Sequence, residues 1–374
     1  MQPTTLLTFV SRQIWPQVMA LLDQVPSRLI LFHSEDAAES LRPAERFRQF
    51  AIETGRLPSD AVELVQVSSN NLQELRDTIA NTAERLELGE LNCAFHLTGG
   101  NKLMAMAAFD WCRLAGSPCF YIERDNQLFS FLPNAGQLTQ TTTRRLSPDL
   151  AVAIDPVHLV ACQLDAAELV DPGQLLTLSP DGERLPWQEI NPLLQRENFD
   201  FRKLLRIEGL EPEPRPGDRL ELATAVAILK VGVPKIRRGI RTVARNRTAD
   251  GRDEGEQDLV FNWRSRLWVV DCKDRVSPEQ RMDRIRNELI TSANLSPRLR
   301  ELLDSLSDEL RDKELKTLKE DLQAVAEAGG LMGKTIVVRR EPLPGQAADF
   351  ARSRGMGVVL KDRLFLDLQK QLIA

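Results

Sequence analysis

The sequence predicts a two-part α/β protein, and three observations carry that prediction. Short apolar runs alternate with longer segments of helical period from Leu6 to about Phe131. Between about Ala151 and Asn198 the text is broken by Pro156, Pro172, Gly173, Pro180, Gly182, Pro186 and Pro192. Beyond that the order changes to one helix, three strands, a charged helical region and a late strand. Alternation of the first kind implies a mainly parallel sheet with helices on both faces. The expected organisation is therefore a unit over 1–150, a connecting region of small helices over 151–200, and a second unit over 201–374.

The elements follow in order. Leu6 to Val10 reads as a strand, and the helix Pro16 to Gln24 has proline in its first turn, where no N–H is needed. Arg28 to His33 is the next strand, and a helix runs through Glu45 to Glu53. Val62 to Val67 and Leu72 to Leu86 repeat the unit, as do Cys93 to Leu97 and Leu103 to Leu114, before the strand Cys119 to Glu123. Asp125-Asn126-Gln127 is a turn into a short antiparallel pair at Leu128 to Leu132. In the second part Asp218 to Leu229 is a helix, followed by strands at Ile236 to Ala244, Gln257 to Trp263 and Leu267 to Lys273. The last two strands form a hairpin across Asn262 to Ser265. Pro278 to Ala328 reads as two or three solvated helices, Lys334 to Arg339 as a strand, and the chain closes with Val358 to Leu360 and a helix.

Composition bounds the possibilities. The 374 residues suffice for two cores, and 42% hydrophobic with 28% charged residues is ordinary for a globular protein. No apolar run has the length of a membrane span, and the N-terminus lacks the basic region of a signal peptide, so a cytoplasmic protein is expected. The five cysteines (Cys93, Cys112, Cys119, Cys162, Cys272) form no CxxC pair and read as reduced, partly buried thiols. His33, His96 and His158 have no partners at metal spacing and read as structural. The net charge of −5 argues against a surface that binds nucleic acid everywhere. A local basic ribbon nevertheless runs through Lys235, Arg237, Arg238, Arg241, Arg245 and Arg247, suited either to gripping phosphates or to guarding a solvated strand edge.

Chemistry concentrates in two places. Asp258 lies in an otherwise apolar strand, and thirteen residues later Asp271 ends a second one, with Lys273 two positions on. On a strand Asp271 and Lys273 share a face, and the hairpin brings Asp258 alongside. Two carboxylates and an ammonium beside a core sheet are costly unless something uses them. Phosphodiester hydrolysis does: carboxylates bind Mg²⁺ or Mn²⁺, which activates water, while a lysine stabilises transition-state charge. Glu221, on the preceding helix, is a further candidate. The second place is Thr98-Gly99-Gly100-Asn101-Lys102, where a strand ends, two glycines permit close backbone approach and a helix begins. Such a helix N-terminus suits phosphate, although the spacing matches neither the dinucleotide fingerprint nor the triphosphate loop.

The array Asp258 … Asp271-x-Lys273 resembles that of the PD-(D/E)xK restriction-endonuclease-like family, with Gln257 where the motif's proline would stand. The resemblance implies that Asp258, Asp271 and the Cys272 carbonyl hold metal, that Lys273 is catalytic, and that Glu221 is the acidic residue of the first core helix. Gln280 and Arg281 would contact phosphate. Thr98 to Lys102 resembles the Thr-Gly-Gly-Thr-Lys signature of CARF domains, the CRISPR-associated Rossmann-fold sensors of cyclic oligoadenylates, with Asn101 in place of the second threonine. The loop after the first strand matches a further feature of that family, with Ser11, Arg12 and Gln13 as its contacts. Together the segments are similar to CRISPR ancillary nucleases of type III systems. The resemblance implies a Rossmann-like sensor joined to a restriction-endonuclease-like domain, a homodimer, and cyclic tetra-adenylate as activator of DNA or RNA cleavage. A non-catalytic CARF regulator that binds nucleic acid, and a constitutive nuclease, are the alternatives.

Overall fold

A computed structural model describes residues 4–89, 92–123, 125–134, 136–164, 167–196, 198–209, 218–244, 254–274, 296–329, 333–343 and 345–373. Among these, seven strands form the first sheet, in the order β3-β2-β1-β4-β5-β6-β7. Strands β1 (Thr5–Phe9), β2 (Arg28–His33), β3 (Val62–Gln66), β4 (Cys93–His96) and β5 (Cys119–Ile122) run parallel. They are linked by α1 (Trp15–Gln24), α2 (Arg42–Glu53), α3 (Leu72–Arg85) and α4 (Lys102–Ala115). Strands buried on both faces are mostly apolar, and β1, β2 and β4 are so apart from Thr5, Thr8, His33, His96 and the exposed Arg28 at a strand end.

The turn at Asn126 leads into a longer hairpin than the short pair expected. Strands β6 (Gln127–Asn134) and β7 (Gln137–Arg145) pair along their lengths. The segment Gln137–Arg145 is mostly exposed, so it lacks the apolar alternation by which a strand is recognised.

The region after residue 150 also holds more than small helices. Helix α5 (Pro156–Gln163) is followed by β8 (Ala167–Asp171) and β9 (Gln174–Leu178), and after α6 (Pro180–Arg184) and α7 (Ile190–Gln195) by β10 (Leu205–Glu208). All three strands join the second sheet, ordered β10-β9-β11-β12-β13-β14-β15 with β8 also on β11. Helix α8 (Asp218–Val231) precedes β11 (Ile236–Ala244), β12 (Glu254–Trp263) and β13 (Arg266–Lys273), which are antiparallel to one another. Within the charged region the described residues form one 33-residue helix, α9 (Pro297–Gly329); the rest of the span expected to be helical, 278–295, lies outside the described residues. Strand β14 (Lys334–Arg339), α10 (Gly345–Ser353), β15 (Gly357–Leu360) and α11 (Leu364–Ile373) complete the chain. Helices α8 and α11 cover one face of the sheet around Val270, Ile336 and Val338, and α9 and α10 cover the other around Val337.

One hydrophobic core runs through both sheets. Leu6, Val10, Ile122, Leu128, Leu146 and Ile154 from the first half share it with Ile240, Val260, Leu267 and Val269 from the second. Polar ties reinforce the junction. Arg237 pairs with Asp155 at 2.6 Å, and Asn262 donates to the carbonyls of Ala151 and Ile154. Among the described residues no helix is long and apolar enough to cross a membrane.

Removing one member of a mostly buried ion pair strands the other, at a cost of about 2–4 kcal/mol. Asp155→Ala should therefore lower the denaturant midpoint of the full chain by a corresponding amount. Retention of the wild-type midpoint would mean that the tie carries no stability.

Candidate functional site

The hairpin expected from the sequence brings Asp258, Asp271 and Lys273 together. The β12–β13 ladder reaches Leu259 opposite Val270. One step further, the Asp258 carboxylate takes the N–H of Cys272 at 2.6 Å, replacing a main-chain partner with a side chain. Lys273 Nζ lies 2.9 Å from Asp271 Oδ1. Asp271 lies beside Val337 in register, so strand alternation turns Asp271 and Lys273 toward the α9 and α10 face. Cys272 points the opposite way, to the α8 face, where its thiol bonds to Thr224.

Electrostatics marks the same place. Burial, followed by the neighbouring charge of Asp271, pushes the Asp258 carboxyl up to about 7. Burial and the charges of Asp258, Glu221 and Asp271 also push the Cys272 thiol well above its ordinary value. A carboxyl held against its own ionisation by a neighbouring carboxylate is the environment that a cation relieves. The donors are hard oxygens, which suit Mg²⁺ or Mn²⁺, and such ions often use only one or two protein carboxylates. Among the described residues no three His, Cys, Asp or Glu side chains form a complete cage. The residues thus fit an ion held by Asp258 and Asp271 with a main-chain oxygen and water.

Glu221 stands apart from this trio. It rises from the first turn of α8, and Arg238 holds its carboxylate at 2.8 Å. Its charge still reaches Asp258, and its own carboxyl is raised by burial against the pull of Arg238.

From Lys235 to Arg238 the basic ribbon has neither of the roles expected of it. Strand β11 lies inside the sheet, with β12 on one side and β8 and β9 on the other, so it is no solvated edge. Lys235 donates to the Ala153 carbonyl, Arg237 to Asp155 and the Gly173 carbonyl, and the buried Arg238 to Asp218, Glu221 and Gln174. These three cations are spent on internal carboxylates and carbonyls, which makes them poor grips for phosphate. Arg245 and Arg247 lie outside the described residues, as do Gln280 and Arg281.

The glycine turn sits where the first sheet changes direction. The chain passes from β1 to β2 on one side and reaches β4 on the other, and the crevice at the carboxyl ends of β1 and β4 is such a sheet's usual ligand position. Both candidate loops open there, with Ser11 half-buried, Arg12 and Gln13 exposed after β1, and Thr98 to Lys102 after β4. Any Cβ on Gly99 would lie 1.8 Å from the Phe9 carbonyl oxygen, and Gly100 has φ +74°, so both glycines are required. The Thr98 hydroxyl accepts from the Ile122 N–H at 2.7 Å and donates to its carbonyl at 3.1 Å. Asn101 caps α4 by accepting from the Met104 N–H at 3.0 Å, and its amide donates to the Ser69 carbonyl. The side chains of Thr98 and Asn101 therefore build the turn, while the exposed Lys102 and the backbone present its surface.

One residue near this crevice escaped the sequence reading. Gln17 is fully buried and donates to the Phe9 carbonyl at 3.0 Å, filling space that Gly99 leaves. A glutamine on an apolar helix was its signal. His96 is also fully buried, 3.0 Å from the Thr8 hydroxyl, and burial lowers its ring to about 3, in keeping with a structural role.

Because the folded carboxyl of Asp258 titrates far above an unfolded aspartate, its penalty is absent below about pH 4, grows through neutrality and is complete above about pH 7. Asp258→Asn keeps an oxygen for the Cys272 N–H and removes the charge. In chelator it should raise stability by about 1–3 kcal/mol at pH 8 and leave it unchanged at pH 4. Thermal melts at the two pH values check this, and equal effects at both would refute the buried-charge account.

No protein-family model matches the chain, and no curated protein matches it either. Solved structures share its fold over nearly its whole length. Can2 from Sulfobacillus thermosulfidooxidans, in complex with cyclic tetra-adenylate, aligns at a TM-score of 0.58 and 16% identity over 100% of this chain and 98% of that one. The protein VC1899 from Vibrio cholerae aligns at a TM-score of 0.62 and 13% identity over 98% and 96%. At these identities the likeness is one of fold, a mixed α/β architecture with two multi-strand sheets.

Proposed function

We propose that this chain is a metal-dependent endonuclease of type III CRISPR defence, switched on by a cyclic oligoadenylate. The observation that carries the reading is the convergence of Asp258, Asp271 and Lys273 at the end of one hairpin. The glycine turn at the switch point of the first sheet supports a sensor there, as does the fold shared with Can2, whose structure contains cyclic tetra-adenylate. Sensing is assigned to residues 1–150 and cutting to 201–374, with 151–200 linking the two and lending β8 and β9 to the second sheet.

Asp258, Asp271 and the Cys272 carbonyl would hold Mg²⁺ or Mn²⁺, which supplies charge neutralisation at the phosphate and an acidified water. Lys273, close to Asp271, would orient the attacking water and stabilise the charge that develops on the phosphoryl oxygens. Asp258 accepts the Cys272 N–H, which fixes its carboxylate before substrate arrives. Glu221 is assigned a supporting role, its charge tempered by Arg238.

In the sensor, the backbone of Gly99 and Gly100 and the α4 N-terminus with Lys102 would receive a phosphate of the ring, and Ser11, Arg12 and Gln13 would border it. A homodimer offers the same residues twice to a ligand with near two-fold symmetry. A hundredfold shift toward the cutting state requires about 2.7 kcal/mol of differential ring affinity.

Labelled DNA and RNA, incubated with Mg²⁺ or Mn²⁺ and with cyclic tri-, tetra- or hexa-adenylate, should be cut chiefly with the tetramer. No cutting under any condition would favour a non-catalytic regulator, and equal cutting without a ring a constitutive nuclease. Asp271→Ala should reduce cutting by at least a hundredfold and leave ring binding intact. Lys102→Ala should weaken ring binding at least tenfold with the nuclease still folded.

A further inference from the structure

Resting on that reading, we infer that Asn126 is a positioning residue that joins the sensing turn to the cutting hairpin. Its place in the fold is unusual. Asn126 forms the β5–β6 turn with φ +62°, is 7% exposed, and belongs to the first sheet by sequence. Its side-chain amide donates to the Ser265 carbonyl at 3.3 Å, across 139 residues of chain. Ser265, at φ +54°, is the tip of the β12–β13 hairpin, whose two strands carry Asp258 and Asp271.

The contacts leading to it are continuous. Thr98, the first residue of the glycine turn, makes two hydrogen bonds to Ile122 at the end of β5. Four residues later in the chain comes Asn126, held by its N–H to the Glu123 carbonyl and by its carbonyl to the Leu146 N–H. The Ser265 N–H then donates to the Pro148 carbonyl and its hydroxyl to that of Ser147. Ile122 and Leu128, flanking the turn, lie in the same core as Val260 and Val269. Val260 stands two residues after Asp258, and Val269 two before Asp271. A displacement of the glycine turn thus has a short route, through hydrogen bonds and four residues of main chain, to the strands that set the separation of the two carboxylates.

Other junction contacts, such as Arg237 with Asp155, join strand to loop and do not lead back to Thr98. Asn126 is a member of the route that lies outside both sites, so its side chain can be altered while the residues assigned to them are kept. Glycine tolerates its positive φ and removes only the amide. Aspartate keeps the size and the turn preference but sets an oxygen against the Ser265 carbonyl.

Full-length wild type, Asn126→Gly and Asn126→Asp would be compared with cyclic tetra-adenylate as probe. Ring affinity is read by titration, ring-free cutting in Mn²⁺ by labelled substrate, and ring stimulation as the ratio of cutting with and without the ring. Hydrogen exchange over 259–270 is followed with and without the ring. Both variants should bind the ring within about threefold of wild type, match its ring-free cutting and lose at least tenfold of its stimulation, or about 1.4 kcal/mol of coupling. The ring should change hairpin exchange in wild type and not in the variants. Wild-type stimulation and wild-type exchange changes in a folded variant would overturn the role of Asn126 alone. A wild-type protein that binds no ring, or is not stimulated by it, would overturn the parent reading and this inference with it. Should Asn126→Gly not fold, Asn126→Asp decides.

Discussion

The hydrogen bond from the Cys272 N–H to the Asp258 carboxylate is the contact on which the second half of the molecule turns. It lies where the β12–β13 ladder runs out and replaces a main-chain acceptor with an acidic side chain. That exchange brings two carboxylates close beside a packed sheet, which is unfavourable in a low-dielectric setting. The surroundings temper the cost unevenly. Lys273 compensates Asp271, and Arg238 compensates Glu221 with Asp218. Asp258 has the Cys272 N–H dipole and a lesser pull from Lys273, which do not offset its burial and the charge of Asp271, so its carboxyl is pushed up to about 7.

Much of this was legible in the sequence because it depends on local periodicity. The strand runs at Asp258 and Asp271 are apolar enough to demand burial, and a two-residue spacing fixes which side chains share a face. The glycine turn was legible for the same reason, since only a close approach or a left-handed backbone calls for Gly99-Gly100 there. Less legible was everything that depends on distant partners. The run from Lys235 to Arg241 looks like a surface ribbon, and nothing local announces that Asp155, Asp218 and Glu221 will meet it. Strand β7 was missed because Thr and Gln on an exposed ribbon lack alternation, and β8 and β9 because proline and glycine cut them short.

The first sheet shows a division of labour that residue types alone obscure. Thr98 and Asn101 look like ligand contacts, yet their side chains are committed to Ile122, Ser69 and the first turn of α4. Recognition at such a turn falls to backbone N–H groups, held in place by side chains that never leave the protein. Gln17 does the same from beneath, bracing the end of β1 against Gly99.

The core that includes Ile122 and Leu128 on one side and Val260 and Val269 on the other belongs to neither half alone. Cutting the chain between the sheets would lay bare apolar surface on both fragments, so the halves are not independent modules to be exchanged at will. Shared packing also makes influence mutual, because a linkage between two binding events is equal in both directions. If occupancy of the crevice tightens the hairpin, then whatever is seated at the hairpin must raise, by the same factor, the affinity of the crevice for its own ligand. On that condition the proposed activator is held most firmly while the proposed cutting site is filled.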